Sequence, residues 1–198
     1  MMESRAPDLE HLVAARLRQL RADRGLTLDE LAKQSGVSRS TISLIERAES
    51  SPTASVLDKL AASLGVTLAA LFAEQERPDA VPLARRADQP EWRDPATAYL
   101  RRNLSPPAFP SPIELVEVIL PPGAHVAYDT ASRLSIVDQQ VWLLAGDIEV
   151  TVGDRLHRLA AGDCLAMRVD RPISFHNRAT EAARYLVALT TARSSSPR

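Results

Sequence analysis

Cysteine is nearly missing from this chain, where Cys164 stands alone. A single thiol excludes an internal disulfide and any cysteine-based zinc site. On a strand as apolar as CLAMRV, that thiol reads as a core residue. Long hydrophobic runs are missing too: nothing approaches the roughly 20 apolar residues of a membrane span. The start, MMESRAPDLEHL, lacks the apolar run of a secretory signal, so the expectation is a cytoplasmic protein with no membrane partner. There is no surplus of positive charge, since the formal net charge is −1. Any charge that binds nucleic acid must therefore be local. Lysine is confined to Lys33 and Lys59. Arginine's planar fork suits phosphate and guanine contacts, although a GC-rich genome produces the same bias. What remains is ordinary for a globular protein: 198 residues, 45% hydrophobic and 25% charged, enough for one large domain or two small ones.

The stretch Thr27 to Glu46, TLDELAKQSGVSRSTISLIE, reads as two short helices around a tight turn. Thr27 caps the first helix, and Glu30 completes a capping box. Leu28, Leu31 and Ala32 recur at helical spacing. Gly36 supplies a turn that a side chain would resist, and Val37 plugs its inside. Ser38 caps a second helix in which Ile42 and Ile45 are apolar, leaving Arg39, Ser40, Ser43 and Leu44 facing elsewhere. Two short helices with small polar residues leading the second suit a DNA major groove. Upstream, Leu9, Leu12, Val13, Leu17 and Leu20 share one helical face, with Arg16, Arg18, Arg21 and Arg24 largely on the other. Downstream, Pro52 sits near the start of a fourth helix. Ser50 or Ser51 is its expected cap, and Val56, Leu57, Leu60, Ala61 and Leu64 its buried stripe. Gly65 ends it, and Thr67 opens a short fifth helix through Leu68, Leu71 and Phe72.

From Glu74 to Pro90, EQERPDAVPLARRADQP has three prolines and no helical stripe. It reads as a linker, with one short extended piece at Val81 to Ala84. Beyond it the period changes from 3.6 to 2. IELVEVIL (Ile113 to Leu120) stops at Pro121 to Gly123. QVWLLAG, DIEVTVG, RLHRLAAGD, CLAMRV and ARYLVALTT then follow as short strands between Gly, Asp, Asn or Pro turns. Many short strands at this spacing imply a sandwich or barrel. The domains expected are 9–73, a linker over 74–90, and 91–192.

The helical residues carry a family resemblance. LxxLRxxRGLTLDELAKxSGVSRSTISxIERAxxSPTxxxLxKLAxxLGVxLxxLF resembles the phage-repressor (Cro/C1, or XRE) type of helix-turn-helix over nearly all of Leu12 to Phe72. That resemblance implies a transcriptional regulator, a homodimer on a pseudo-palindromic double-stranded operator, with one recognition helix per half-site. Carried over by position, Arg39 and Ser40 meet base edges and Leu44 is the third groove-facing position. Ser38 and Ser43 suit phosphate rather than bases, and Thr27 belongs to the same surface. The alternative for Arg39 is a phosphate contact or a solvated side chain. The family often pairs a first-helix arginine with the glutamate that ends the recognition helix, and Arg21 and Glu46 hold those positions. One departure is Leu28, where many members have a phosphate-contacting glutamine.

The β residues are similar to the cupin pattern over roughly Ile113 to Thr190: PPGAHVAYD, then QVWLLAGDIEVTVGDRLHRLAAGDCLAMRVDRPISFHN. The fold expected is therefore α+β, a five-helix helix-turn-helix domain followed by an all-β cupin jelly roll. Metal-binding cupins use two histidines and a glutamate from one motif and a histidine from the next. Here the glutamate position reads Gln139 or Gln140, the paired histidines are absent from ASRLSIVDQ, and the second-motif position is Ile173. His176 lies three residues further, on the opposite face. The expectation is no metal, no cofactor and no catalytic residue. A barrel of about eight strands can still enclose one small effector. Candidate lining residues are His125, Tyr128, Arg133, Trp142 and Met167, although Trp142 and Met167 also suit a core, and His125 and Tyr128 a solvent-facing turn. Two alternatives to an effector-controlled regulator stay open: a β domain that only dimerises, and a cupin dioxygenase or isomerase with a DNA-binding domain attached.

Overall fold

A computed structural model describes residues 9–72, 79–129 and 137–191. Four α-helices open it: α1 (Leu9–Asp23), α2 (Leu28–Ser35), α3 (Arg39–Glu46) and α4 (Ala54–Ser63). Local chemistry sets most of their ends. The Thr27 hydroxyl accepts from the Glu30 N–H while the Glu30 carboxylate accepts from the Thr27 N–H, a complete capping box. Gly36 takes a left-handed φ of 68° to stop α2, a conformation that costs other residues energy. Ser38 caps α3 by accepting from the Thr41 N–H at 3.1 Å. Leu17, Leu31, Ile42, Leu57 and Leu60 close the core between the helices.

Two expectations fail in this half. The fifth helix is only a 3-10 turn, Ala69–Leu71. Thr67 does cap it, accepting from the Ala70 N–H at 3.1 Å, but so short a segment cannot propagate an α-helix. The cap of α4 is Thr53 rather than Ser50 or Ser51, and Pro52 lies outside the helix.

The rest is antiparallel β. The strands are β1 (Glu91–Arg93), β2 (Leu100–Asn103), β3 (Ile113–Leu120), β4 (His125–Tyr128), β5 (Val137–Ala145), β6 (Asp147–Val152), β7 (Arg155–Ala160), β8 (Cys164–Arg168), β9 (Ile173–His176) and β10 (Ala183–Thr191). One sheet runs β1-β2-β3-β10-β5-β8 and the other β4-β9-β6-β7. Their inner faces meet where Phe175 of β9 stacks on Tyr185 of β10, with ring centroids 5.6 Å apart. Strand alternation turns Leu165 and Met167 of β8 inward, so Cys164 is exposed rather than a core residue. The segment Val81 to Ala84 forms no strand; a 3-10 turn follows at Arg86–Asp88.

The two halves share one continuous core. Phe72 from the helical half packs on Trp92 of β1 at 5.6 Å, and Trp92 meets Tyr99 edge-on at 5.7 Å. Asp94, buried just after β1, accepts from the Ala54 N–H at 2.9 Å through one oxygen. Its other oxygen accepts from the Thr97 N–H and hydroxyl, at 2.8 and 2.6 Å. The first turn of α4 is thus capped from the β half. A local reading places this start early because half of the cap lies 40 residues away.

Asp94→Ala should strip the acceptor from a buried N–H and lower stability by about 1–3 kcal/mol. Asp94→Asn, which keeps an oxygen in place, should cost less. Urea denaturation of the full chain measures both, and an unchanged midpoint for Asp94→Ala would contradict the cap.

Candidate nucleic-acid interface

α3 is held rigidly from behind. Arg21 of α1 grips the Glu46 carboxylate side-on, Nε to Oε1 at 2.6 Å and Nη2 to Oε2 at 2.8 Å. Its Nη1 donates to the Leu26 carbonyl at 2.8 Å, so all three nitrogens are engaged. Glu46 is 6% exposed. Its hydrogen bond to Arg21 raises the arginine's pKa further above its ordinary value, against the lowering effect of burial. Arg18 donates to the Glu46 backbone carbonyl as well. Two arginines of α1 therefore fix the carboxy-terminal end of α3.

The solvent side of α3 is assembled differently. Arg39, Ser40 and Leu44 are exposed, Leu44 to 37%, while Ile42 and Ile45 anchor the buried face. The Ser38 hydroxyl, besides capping, lies 2.9 Å from the Ser40 hydroxyl. Ser43 accepts from Arg47 at 2.6 Å, and Arg47 also grips Glu49 side-on. Arg39 rests against Asp29 at 3.2 Å, with both side chains well exposed. Such a pair contributes only about 0–1 kcal/mol, so Arg39 can leave it for a stronger acceptor at little cost. Thr27 is exposed beside this surface, and Arg21 lies behind it, mostly buried by its own ion pair. Residues 9–72 carry eight Lys/Arg against seven Asp/Glu, so the basic character is confined to patches.

A second candidate site lies between the halves, a cavity of about 60 Å³. Asp58, Thr67, Leu68 and Ala69 line it from the helical side, and Arg101, Tyr128, Gln139, Ile173 and Tyr185 are among the residues lining it from the β side. Tyr128 is the one sequence candidate there. Its hydroxyl lies 3.2 Å from that of Tyr99, and burial holds its pKa well above the ordinary phenol value, keeping it neutral. His125 instead sits on the sheet surface, its ring 5.2 Å from that of His176. Trp142 is 49% exposed on the outer face of the larger sheet. Met167 packs partly against the core without reaching the cavity. Arg133 lies outside the described residues. Arg101, Asp58 and Thr67 escaped sequence reading: the strand LRRN shows no alternation of apolar residues, and the helical partners belong to another domain pattern. Among the described residues no three His, Cys, Asp or Glu side chains converge as a metal site.

A capped helix pair with a buried brace and an exposed, polar-led second helix defines a DNA-binding transcriptional regulator of the helix-turn-helix class. The chain belongs to the HTH_3 helix-turn-helix family, XRE type, whose profile matches residues 17–71. It is 38% identical over 60 residues to the HTH-type regulator y4dJ of Sinorhizobium fredii, covering 30% of this chain and 78% of that one. It is 27% identical over 177 residues to the HTH-type transcriptional regulator PuuR of Escherichia coli, covering 88% of this chain and 92% of that one. The crystal structure of an HTH_3 family transcriptional regulator from Vibrio cholerae aligns with a TM-score of 0.69 at 25% identity, over 93% of this chain and 98% of the other.

Glu46→Ala leaves the Arg21 guanidinium partly buried with its fork unmatched, and should destabilise the chain by roughly 3 kcal/mol. Pairing Arg21→Met with Glu46→Leu should recover most of that loss, because both charges leave together. Thermal denaturation of the three proteins checks the order; a double variant no more stable than Glu46→Ala contradicts it.

Proposed function

We propose that this regulator reads a pseudo-palindromic operator through α3 and is controlled by a small molecule held in the cavity between its halves. Arg39 and Ser40 contact base edges, Leu44 adds an apolar groove contact, Ser38, Ser43 and Thr27 lie along the phosphates, and Arg21 braces α3 from behind. The observation that carries the effector half of this reading is the shared lining of the cavity. A ligand there touches the β interior and the segment Thr67 to Ala69 at once, so its binding energy can differ between arrangements of the DNA-reading unit. Without that difference no ligand could shift DNA affinity.

The β half is a cupin-like jelly roll used for sensing rather than catalysis. Gln139, Gln140 and Ile173 stand where metal cupins carry ligands, and none of them offers the carboxylate and imidazoles that a catalytic metal takes. One copy of α3 presents few base-reading side chains, which favours a homodimer with two recognition helices at fixed spacing. Its interface is best sought on the outer face of the larger sheet, where Trp142, Leu115 and Ile113 are 49, 40 and 50% exposed. The protein works in the cytoplasm, where its operator is.

Selection from randomised duplex DNA should return an inverted repeat. Arg39→Ala should relax preference at one position per half-site, worth about 1–3 kcal/mol of discrimination; an unchanged preference would remove Arg39 from base reading. A thermal-shift screen against a metabolite panel, followed by operator titration with each hit, tests effector control. The reading predicts a hit that changes operator affinity, and a panel without one contradicts it. Trp142→Glu should yield monomers by light scattering and bind the operator weakly, whereas an intact dimer would exclude that face.

A further inference from the structure

Arg101 is an unusual residue to find in a barrel interior. It lies on β2 opposite Val118, faces inward and is 6% exposed. The Phe72 ring holds the guanidinium carbon at 5.6 Å from its centroid. Among the described residues Nε and Nη2 have no hydrogen-bond partner. Leaving such buried donors unmatched is costly, the more so on a charged group, so their persistence calls for a purpose.

The geometry of those two nitrogens is informative. Nε–H and Nη2–H point the same way and form the edge of the fork that accepts a carboxylate side-on. This chain uses that edge elsewhere, as in Arg171 on Asp170. Arg21 takes Glu46 and Arg47 takes Glu49 through the same two nitrogens, at 2.6 to 2.9 Å. Arg101 itself lines a cavity otherwise walled mainly by Leu68, Val118, Val187, Leu189 and Phe175.

Resting on the effector reading above, we propose that the effector is a short carboxylic acid whose carboxylate is held side-on by Nε and Nη2 of Arg101, with its aliphatic end against the valine and leucine wall. The cavity is small and mainly apolar in its lining, which suits an acid with a short chain. The neutral hydroxyl of Tyr128 and the amide of Gln139 line the same space and are available for a polar substituent. Two carboxylates stand near: Asp58 lines the cavity, and Glu114, whose Oε2 accepts from the Thr67 hydroxyl at 3.4 Å, interacts electrostatically with Arg101. Burial holds the Glu114 carboxyl above its ordinary range, against the pull of Arg101. Asp58 is on α4, and Thr67, Leu68 and Ala69 lead into the 3-10 turn, so an acid in this cavity meets the helical half directly.

The test uses the full chain with propionate, propionamide, propylamine and inorganic phosphate in parallel thermal melts. Propionate at 100 times its Kd should raise the melting temperature by roughly 5–10 °C, while propionamide and propylamine leave it unchanged. Arg101→Gln should weaken propionate at least about tenfold, the loss expected for one charged, bidentate contact. Should that variant fail to fold, ¹⁵N NMR of the wild-type arginine Nε–H groups decides. One resonance should move on propionate addition, and none moving overturns the proposal. A response to phosphate but not propionate overturns the carboxylate assignment. A response to propylamine, propionamide or another panel compound in place of any acid overturns it while leaving effector control standing. Silence from every acid and every panel compound overturns both.

Discussion

The hydrogen bond from the Ala54 N–H to Asp94 is the contact on which the arrangement of the two halves depends. It joins the start of α4, the last α-helix of the DNA-reading unit, to the first turn of the β half. Alone it contributes about 0.5–1.5 kcal/mol. Its effect is larger because it fixes α4 where the Phe72, Trp92 and Tyr99 rings can close behind it. Those rings cover the inner face of β1 and β2, a part of the larger sheet that the helical half, rather than the smaller sheet, protects from water. The cavity with Arg101 lies between the same two halves.

Within the helical half, two arginine–carboxylate pairs differ in burial and hence in role. Arg21 and Glu46 are sheltered, bidentate and supplemented by Arg18 and Leu26. Breaking such a pair strands a charge, so it behaves as a brace. Arg39 and Asp29 are exposed and joined by a single contact. Water and salt screen that pair until it contributes little. A rigid helix carrying one loosely parked arginine suits a surface that must hold its position yet exchange a carboxylate partner for a base or a phosphate.

Sequence reading reached the helical half because its signals are local. Thr27 and Glu30 are three residues apart, Gly36 marks its own turn, and Ile42 and Ile45 sit on one helical face. The Arg21–Glu46 pair, 25 residues apart, was legible only through family resemblance. Alternation revealed the long strands β3, β5 and β10 but missed β1 and β2, which are short and carry Arg93, Arg101 and Arg102 in place of an apolar stripe. Arg102 is buried against Glu91 and Glu117, and Glu117 also takes Arg184, so β2 buries an arginine on each of its faces. CLAMRV looks apolar throughout, whereas Leu165, Met167 and Val169 are its inward residues and Cys164 is exposed. The cavity was least legible of all. Its lining comes from α4, the turn after it and several strands, and no spacing in the chain announces that convergence.

The DNA-binding helices and the Arg101 cavity share one core and should unfold as one cooperative body. Differential scanning calorimetry of the full chain tests it most directly. One shared core predicts a single endotherm whose calorimetric and van't Hoff enthalpies agree. Two resolved transitions, one for each half, would contradict it.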